Sequence, residues 1–354
     1  MSYKQMTGNI ISATKVEPDG LFETSAASGV WNLQDQYDYV RGGNWPTSGN
    51  AQRGFFARSE PASGSKTIKS INLTTTGNDG SDFGDLHTAS RNGGAGQCSS
   101  STRAIVFMGI DSNGNRINNI QYYNMVTAGD GADFGDATTA AYQPGTLSNG
   151  TRAIRCGGTD SANNIIEYVT IDTTGNATDF GDFDENSYGQ VGLASTTRGL
   201  FCGGYDSNQR RDEIKYITIA STGDVTDFGD LLATGSFSEA ANLSCNALAS
   251  STRGVIAGGN LERSGTINVI QYVTIASTGN ASDFGDLTEK KQSPAGASSK
   301  TLGYFAAGSS APSGDNTRIE HIVIASTGNA SDFGDIGLLG DLGGTASVSH
   351  GGLA

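Results

Sequence analysis

The chain has 354 residues, of which 51 are Gly and 6 are Pro, and its composition is 36% hydrophobic and 16% charged. This is too apolar for a disordered chain and too rich in Gly for a helical protein. The formal net charge of -14 repels both a phosphate backbone and an anionic membrane surface, which argues against nucleic acid or membrane as partners.

The sequence has no run of about 18 apolar residues, so it predicts no membrane insertion. The first residues, MSYKQMTGNIISATKV, contain no apolar core of signal-peptide length. We therefore expect the chain to be made in a cytoplasm. The cysteines form no CxxC pair, which favours buried free thiols over a zinc site. They are Cys98, Cys156, Cys202 and Cys245.

Residues 1–46 precede the repeats and contain both tryptophans of the chain. Between the tryptophans, Asn32 is typical of a helix N-cap, and an apolar face over the next two turns predicts a short helix. This segment either docks on a partner chain or braces the rest of the protein, and both interpretations stay open. The docking candidates are Trp31, Tyr37, Val40 and Trp45.

Residues 47–354 contain a repeat of about fifty residues, a period typical of propeller blades. Its marker is the tetrapeptide Asp-Phe-Gly-Asp, which occurs six times. The phenylalanine is predicted to lie in the core. The aspartates and phenylalanines of the six copies are Asp82, Phe83, Asp85, Asp133, Phe134, Asp136, Asp179, Phe180, Asp182, Asp227, Phe228, Asp230, Asp283, Phe284, Asp286, Asp332, Phe333 and Asp335.

The fifth copy shows four predicted strands most clearly. Residues 245–251 form a small-residue strand, and residues 252–259 form a second strand that ends in a Gly pair. Residues 269–276 are rich in β-branched side chains, as in a strand buried on both faces. A hairpin turn follows, in which Gly279 needs a positive φ, and residues 281–286 form the fourth strand. The sequence therefore predicts an all-β fold: a six-bladed β-propeller of four-stranded antiparallel blades.

The two ends of the repeat region predict how the ring closes. The first copy begins at its second strand, near Arg53, and lacks a small-residue strand before it. Residues 344–349, after the last copy, form an unassigned small-residue stretch. We therefore expect this C-terminal strand to become the innermost strand of the first blade, which leaves no open sheet edge.

The repeat resembles the kelch-type propellers. The Gly pair after the second strand matches at residues 157–158, 203–204 and 258–259, and a third-strand Tyr matches at residues 122, 168, 216 and 272. Ile71 and His321 hold the Tyr place in the first and sixth copies. The kelch fourth-strand Trp is absent, and the tetrapeptide Phe takes its place.

The repeat, with segments such as TGNATDFGD, resembles repeats in structural proteins of marine bacteriophages, especially cyanophages. This resemblance covers about residues 50 to 350. Residues 29–46 also look like short modules of phage tail-fibre-type proteins. The resemblance implies a virion protein that is made in the host cytoplasm. It does not imply which part of the virion contains it.

The tetrapeptide aspartates allow two interpretations. One is calcium binding, but two carboxylates per copy fall short of the oxygen ligands that calcium takes. The favoured one is structural, with turn capping and pairing to a second-strand Arg. No metal and no cofactor is predicted. The recurring arginines are Arg53, Arg103, Arg152, Arg198 and Arg253, and Leu302 takes their place in the sixth copy.

Catalysis has little support in the sequence. A copper oxidase of the galactose-oxidase type needs several His ligands, but His87, His321 and His350 fall in different parts of the repeat. A six-bladed sialidase needs an arginine cluster, whereas the arginines here follow the repeat. We therefore expect a non-enzymatic protein, with a glycan-active enzyme as the distant alternative.

Strand parity places the second-to-third and fourth-to-first connections on one face, and these connections differ in every copy. Loops on a rigid scaffold commonly carry recognition. The expected function is a tail- or tail-fibre-associated virion protein that binds a host-surface glycan or protein. The alternative is a scaffold or decoration that binds only other virion proteins. Either way we expect an oligomer in the virion. The recognition-loop candidates are Asp206, Gln209, Arg210, Arg211, Phe237, Glu262 and Arg263.

Overall fold

The computed structural model describes residues 34, 53–57, 65–73, 80–90, 96–107, 109–111, 113–158, 164–206, 209–233, 242–243, 245–299, 301–308, 317–336 and 347–348. The chain divides into two compact units, Met1–Ala51 and Gln52–Ala354. In the first unit, Gln34 is helical and exposed. The docking candidates Trp31, Tyr37, Val40 and Trp45 lie outside the described residues. No helix in the described parts of the chain is long and apolar enough to cross a membrane.

The second unit is built from antiparallel strands. Their bounds are β1 (Arg53–Ala57), β2 (Ser65–Asn72), β3 (Ser81–Ser90), β4 (Gly96–Ser99), β5 (Arg103–Phe107), β6 (Asn119–Asn124), β7 (Ala132–Asp136), β8 (Gly145–Ser148), β9 (Arg152–Cys156), β10 (Ile165–Thr170), β11 (Thr178–Asp182), β12 (Ser187–Tyr188), β13 (Val191–Ala194), β14 (Arg198–Cys202), β15 (Tyr205–Asp206), β16 (Glu213–Thr218), β17 (Thr226–Asp230), β18 (Asn242–Leu243), β19 (Asn246–Ala249), β20 (Arg253–Ala257), β21 (Asn260–Leu261), β22 (Gly265–Thr266), β23 (Val269–Thr274), β24 (Ser282–Asp286), β25 (Ala295–Ser298), β26 (Leu302–Ala306), β27 (Arg318–Val323), β28 (Ser331–Asp335) and β29 (Ser347–Val348).

Six four-stranded sheets form the blades of a β-propeller, as the repeat predicts. Each blade is named by its order in the chain, and its strands are numbered from the innermost outward. Blades 1 to 6 are β29-β1-β2-β3, β4-β5-β6-β7, β8-β9-β10-β11, β13-β14-β16-β17, β19-β20-β23-β24 and β25-β26-β27-β28.

The innermost strands close the ring. Each one contacts its neighbour in the order β4, β8, β13, β19, β25, β29 and back to β4. Small side chains such as those of Ala295 and Ala297 let these strands approach one another. The C-terminal strand β29 pairs with β1 in the register Phe55↔Val348 and Phe56↔Ser347. The predicted closure by the C-terminal strand is therefore confirmed.

The phenylalanine of the tetrapeptide lies in the core of every blade, with only 2–4% of its surface exposed in each copy. In blades 2 to 5 it packs edge-to-face against the third-strand tyrosine of the same blade, at centroid distances of 5.9–6.2 Å. Such pairs add to the burial of two large apolar rings. The prediction that the tetrapeptide Phe is a core residue is confirmed.

The second-strand arginine does not pair with the tetrapeptide aspartate, so that prediction is wrong. In blades 2 to 5 its guanidinium lies 4.4–4.5 Å from the centroid of the third-strand tyrosine. It donates a hydrogen bond of 2.7–2.9 Å to a backbone carbonyl of the next blade. The pairs are Arg103 with Ile171, Arg152 with Ile219, Arg198 with Ile275 and Arg253 with Ile324.

The reason is the order of strands within a blade. The third strand separates the second-strand Arg from the fourth-strand tetrapeptide, and Arg198 stands opposite Thr218 at one end of the third strand. Asp227 stands opposite Lys215 near the other end, and their side chains lie 3.6 Å apart. Among the described residues, these four arginines form no ion pair with a tetrapeptide aspartate.

The third-strand tyrosine position also needs one correction. His321 pairs with Ser331 as Tyr272 pairs with Ser282, so the place predicted for His321 is confirmed. In blade 1, however, Ser70 stands at this place, opposite Ser81, and Ile71 is the next residue along. Counting back from the tetrapeptide Phe gave Ile71 instead of Ser70, because the link between the third and fourth strands is one residue longer in blade 1.

Neighbouring blades are joined by a backbone contact that we call the blade clasp. Between blades 4 and 5, the N–H of Gly279 donates to the carbonyl of Phe228, and the N–H of Ala281 donates to the carbonyl of Asp230, both at 2.8 Å. The N–H of Asp230 donates to Asn280 Oδ1 at 3.1 Å. The tetrapeptide of one blade thus binds the hairpin turn of the next.

The same three bonds recur at four more interfaces: between blades 1 and 2, blades 2 and 3, blades 3 and 4, and blades 5 and 6. The turn glycines Gly129, Gly175, Gly223 and Gly328 donate to the carbonyls of Phe83, Phe134, Phe180 and Phe284. The turn side chains Asp130, Asn176, Asp224 and Asn329 accept from the N–H groups of Asp85, Asp136, Asp182 and Asp286.

The clasp brings two backbones so close that its tetrapeptide position must be glycine. A Cβ added to Gly229 would lie 2.5 Å from the carbonyl oxygen of Gly279. Gly229 has φ of +150°, and Gly279 has φ of +153°, which confirms the positive φ predicted for the turn. A Cβ on Gly279 itself would meet nothing within 4 Å.

A second inter-blade contact comes from a buried polar residue in the third strand. In blades 2 to 6 this position is Gln121, Glu167, Lys215, Gln271 and Glu320, each at most 8% exposed. Each bonds the connection that follows the tetrapeptide of the preceding blade. For example, Gln271 Oε1 accepts the N–H of Leu232 at 2.7 Å, and Lys215 pairs with Asp184 at 3.0 Å.

The interface between blades 2 and 3 adds a buried ion pair. Arg155 and Glu167 are 1% and 0% exposed, and Arg155 Nε lies 2.8 Å from Glu167 Oε1. Arg155 also donates to the backbone and hydroxyl oxygens of Thr139, and Glu167 accepts the N–H of Thr138. Because water does not reach the pair, these protein partners alone stabilise the two charges.

The closing interface between blades 6 and 1 uses different residues for the arginine bond. Leu302 stands in the Arg place, and the hydroxyl of Tyr304, two residues along, donates to the carbonyl of Leu73. This carbonyl is the first after the third strand of blade 1, as those of Ile219 and Ile275 are in their blades. Tyr304 also packs against Phe333 at 4.9 Å.

We predict that Gly229→Ala lowers the free energy of unfolding more than Gly279→Ala does. Both changes place a side chain at a strained φ, which costs roughly 1–3 kcal/mol. Only Gly229→Ala also forces a Cβ against the backbone of the next blade, for a further ~1–3 kcal/mol. Urea denaturation measures the difference, and equal losses in the two variants would contradict the clasp.

We predict that Glu167→Gln costs about 3–5 kcal/mol, because it leaves the Arg155 charge buried without a counter-ion. The control is the double variant Arg155→Ile with Glu167→Gln, which reproduces the pair Ile256 and Gln271 of blade 5. It should regain most of the lost stability, since a well-packed neutral pair can replace a buried ion pair. A double variant as unstable as the single one would refute this account.

Candidate functional site

The two faces of the ring differ in what their connections do. The third-to-fourth turns lie on one face, here called the clasp face, where they make the blade clasps. The second-to-third and fourth-to-first connections lie on the opposite face, here called the variable face. Because the clasps constrain the third-to-fourth turns, the second-to-third connections of the opposite face have more freedom to differ from blade to blade.

Blades 4 and 5 extend beyond their four strands on the variable face. In blade 4, β12 pairs with β15 in the register Ser187↔Asp206 and Tyr188↔Tyr205. In blade 5, β21 pairs with both β18 and β22. Each extension continues a first- and second-strand pair past the Gly pair.

Arg211 holds the second-to-third connection of blade 4 in place. Its guanidinium lies 3.2 Å from Asp206 and 2.9 Å from Glu213, and it also contacts Glu185. Burial disfavours the charged form of Arg211, but the hydrogen bond and charge of Glu213, with Glu185 and Asp206, raise its pKa overall. The cation and its three carboxylates therefore satisfy one another.

A row of hydrogen bonds continues from this connection across blade 5. Arg210 forms a β-bridge with Tyr205 and donates to both the backbone and side-chain oxygens of Asn260 at 2.7 Å. The side-chain amide of Asn260 donates to Gln292 Oε1 at 2.6 Å. Asn260 belongs to blade 5, and Gln292 lies in the connection to blade 6.

Three tyrosines continue the row in the other direction. The rings of Tyr188 and Tyr205 lie 5.3 Å apart with an interplanar angle of 42°. Burial, and then the neighbouring Tyr205, raises the pKa of Tyr188. Burial, and then Tyr188, raises the pKa of Tyr142, which holds the place before blade 3 that Tyr188 holds before blade 4.

We call this continuous surface the recognition arc. Its members come from the connections around blades 3 to 6, and each is partly exposed. It offers aromatic faces at one end and amide and guanidinium groups at the other, the composition typical of a binding surface. The members are Tyr142, Tyr188, Tyr205, Arg210, Asn260 and Gln292.

The structure divides the recognition-loop candidates. Arg210 belongs to the arc, while Gln209, Glu262 and Arg263 are exposed beside it. Asp206 is 8% exposed and accepts the N–H of Gln209, so it shapes the loop and does not face a ligand. Arg211 acts in the same way through its three carboxylates. Phe237 lies outside the described residues.

Sequence reasoning missed the tyrosines of the arc, although a positional signal exists. Tyr142 and Tyr188 each stand six residues after the last Asp of a tetrapeptide, and Gln292 holds the same place after Asp286. Tyr205 follows the Gly pair of blade 4, where blade 5 has Asn260. The signal is weak because each residue type occurs in only some copies of the repeat.

The tetrapeptide aspartates face solvent along the outer strands. All are exposed except Asp230, which is partly buried. Several bond neighbouring side chains, as Asp82 does with Lys69 at 3.9 Å and Asp133 with Asn119 at 2.7 Å. In the described parts of the chain, no group of three or more His, Cys, Asp or Glu residues is arranged to hold a metal ion.

The four cysteines are buried free thiols, which confirms that prediction. Burial raises the pKa of each thiol, that of Cys245 to about 12. Of the histidines, His87 is exposed in blade 1, and His321 packs against Tyr304 and Phe333 in blade 6. His350 lies outside the described residues.

Neither a protein-family model nor a curated protein matches the sequence.

We predict that Arg211→Met destabilises the protein by about 1–2 kcal/mol, because three carboxylates lose their shared cation on a partly exposed surface. The control is Gln209→Ala, an exposed change in the same connection, which should stay within about 0.5 kcal/mol. Thermal unfolding of both variants tests the structural role of Arg211. Equal stability of the two variants would contradict the structural role of Arg211 and make it a ligand-binding candidate again.

Proposed function

We propose that this protein is a non-enzymatic binding protein of a phage virion, associated with the tail or its fibres, and that its recognition arc binds a molecule on the host surface. The observation that carries the proposal is the arc itself, a partly exposed row of aromatic and hydrogen-bonding side chains. A rigid ring whose second-to-third connections take no part in the blade clasps suits recognition.

The rigidity of the ring supports this role. Six blades joined by backbone clasps and closed by β29 hold the arc residues in fixed relative positions. Side chains that are ordered before binding lose less entropy when a ligand arrives. Arg210 and Asn260 are already fixed by hydrogen bonds to each other.

Assignment to a virion rests on the sequence of the repeat, whose TGNATDFGD wording resembles that of marine phage structural proteins. Other virion proteins are the expected neighbours, and an oligomer is the expected assembly. The predicted docking segment, residues 1–46, supplies the attachment in this proposal.

A second candidate is a scaffold or decoration protein that binds only other virion proteins. The observation that favours it is a pair of exposed aliphatic side chains at the ends of third strands, on the clasp face. Val126 is 50% exposed and Val323 is 48% exposed. Protein interfaces commonly bury such residues.

We predict that the double variant Tyr188→Ala with Tyr205→Ala attaches to host cells at least about tenfold less well, since aromatic anchors dominate binding surfaces. Flow cytometry of labelled protein on marine cyanobacterial strains that bind the wild type measures attachment. The matched control, Val126→Ala, alters the clasp face and should leave attachment unchanged. Loss of attachment in the control alone would assign host binding to the clasp face, and a wild type that attaches to no host strain would favour the scaffold candidate.

A further inference from the structure

We propose that the recognition arc takes an uncharged carbohydrate of the cell surface as its ligand. This inference rests on the proposed function, because it names the chemical class bound by the same surface. Three features of the arc favour this class: its hydrogen-bonded cations, its partly exposed tyrosine faces and its amide and phenol groups.

The cationic side chains of the arc region already have partners: Arg211 has carboxylates, and Arg210 has the oxygens of Asn260. Arg211 is shared by Asp206, Glu185 and Glu213, and Arg210 donates to the two oxygens of Asn260. A sulfated, phosphorylated or acidic ligand would have to displace these partners, and it would approach a chain of net charge -14. A cationic ligand would compete with Arg211 for the same carboxylates. An uncharged ligand meets neither obstacle.

The tyrosine pair offers apolar faces of the size of a sugar ring. Tyr188 and Tyr205 are partly exposed, and their rings are tilted by 42° and not stacked in parallel. The C–H face of a pyranose is apolar and packs on an aromatic ring, while its hydroxyl groups point outward. An aromatic ring with a polar tip, such as tyrosine, suits a ligand with both kinds of surface.

The other end of the arc supplies hydrogen bonds for hydroxyl groups. Gln292 is partly exposed and accepts from Asn260 through Oε1, and its amide nitrogen is a second polar group at this end of the arc. Amide groups both donate and accept, as hydroxyl groups do, and so does a tyrosine phenol. A chain of several sugar units could therefore bind along the arc, from Tyr142 to Gln292, through the same few types of contact.

A protein ligand is less well matched. Tyrosine and arginine are common at protein interfaces too, but a stable protein interface also has a well-packed apolar centre. Among the described residues, the exposed large hydrophobic side chains are Val126 and Val323, which lie on the clasp face. The apolar surface of the arc is therefore that of its tyrosines, which suits the C–H face of a sugar and is small for the centre of a protein interface.

The test uses intact marine cyanobacterial cells that bind the wild-type protein. One sample is treated with periodate, which cleaves the vicinal diols of sugars, and another with a broad-specificity protease. We expect periodate to reduce attachment at least tenfold and protease to leave it within twofold. Attachment should change less than twofold between about 0.05 and 0.5 M salt, because an uncharged ligand is not screened.

Two single variants test whether attachment depends on the aromatic ring or on the hydroxyl group of Tyr205. Tyr205→Ala should reduce attachment, and Tyr205→Phe, which keeps the ring, should retain most of it. Attachment that survives periodate but is lost with protease, or that falls steeply with salt, overturns the carbohydrate while leaving arc-dependent binding intact. Attachment that is indifferent to Tyr188→Ala with Tyr205→Ala instead refutes the proposed function, and this inference with it.

Discussion

The close approach of two backbones in the blade clasp is the contact on which this ring depends. The carbonyls of Phe228 and Asp230 accept hydrogen bonds from the turn of the next blade, and Gly229 permits the approach because it has no Cβ. The phenylalanine between them buries its ring in the blade. One short segment therefore joins its own blade to the next. Each of the first five copies must fit the turn of its successor, which explains why tetrapeptide and turn recur together in the sequence.

The sequence predicts well those features that every copy repeats. Blade number, strand order, the buried phenylalanine and the closing strand all follow from six similar segments and two incomplete ends. The arginine partner could not be predicted in the same way. Arg198 donates to a backbone carbonyl of the next blade. Every residue has such a carbonyl, so the sequence does not indicate which one accepts the bond. The recurring carboxylate of the same copy, Asp227, was a reasonable partner by charge, but the third strand lies between them.

Departures from the repeat become interpretable once the interfaces are known. Leu302 by itself looks like the loss of an interaction, yet Tyr304 donates its hydroxyl to the carbonyl that an arginine would otherwise reach. His321 replaces the tyrosine over which that arginine would lie, and it packs against Tyr304. Three substitutions in one blade are therefore one change of chemistry at the closing interface. A buried carbonyl must keep a donor, because leaving it unpaired costs free energy.

The same reasoning explains where the candidate site lies. Clasps, arginine bonds and third-strand polar residues hold each blade to its neighbour through strand ends and the segments next to them. The second-to-third connections have no part in these contacts, so their sequences are free to change without opening the ring. In blades 4 and 5 that freedom has produced paired extensions, with Tyr205 and Asn260 at equivalent places. The tyrosines escaped prediction for this reason: a recognition surface is built from what the copies do not share.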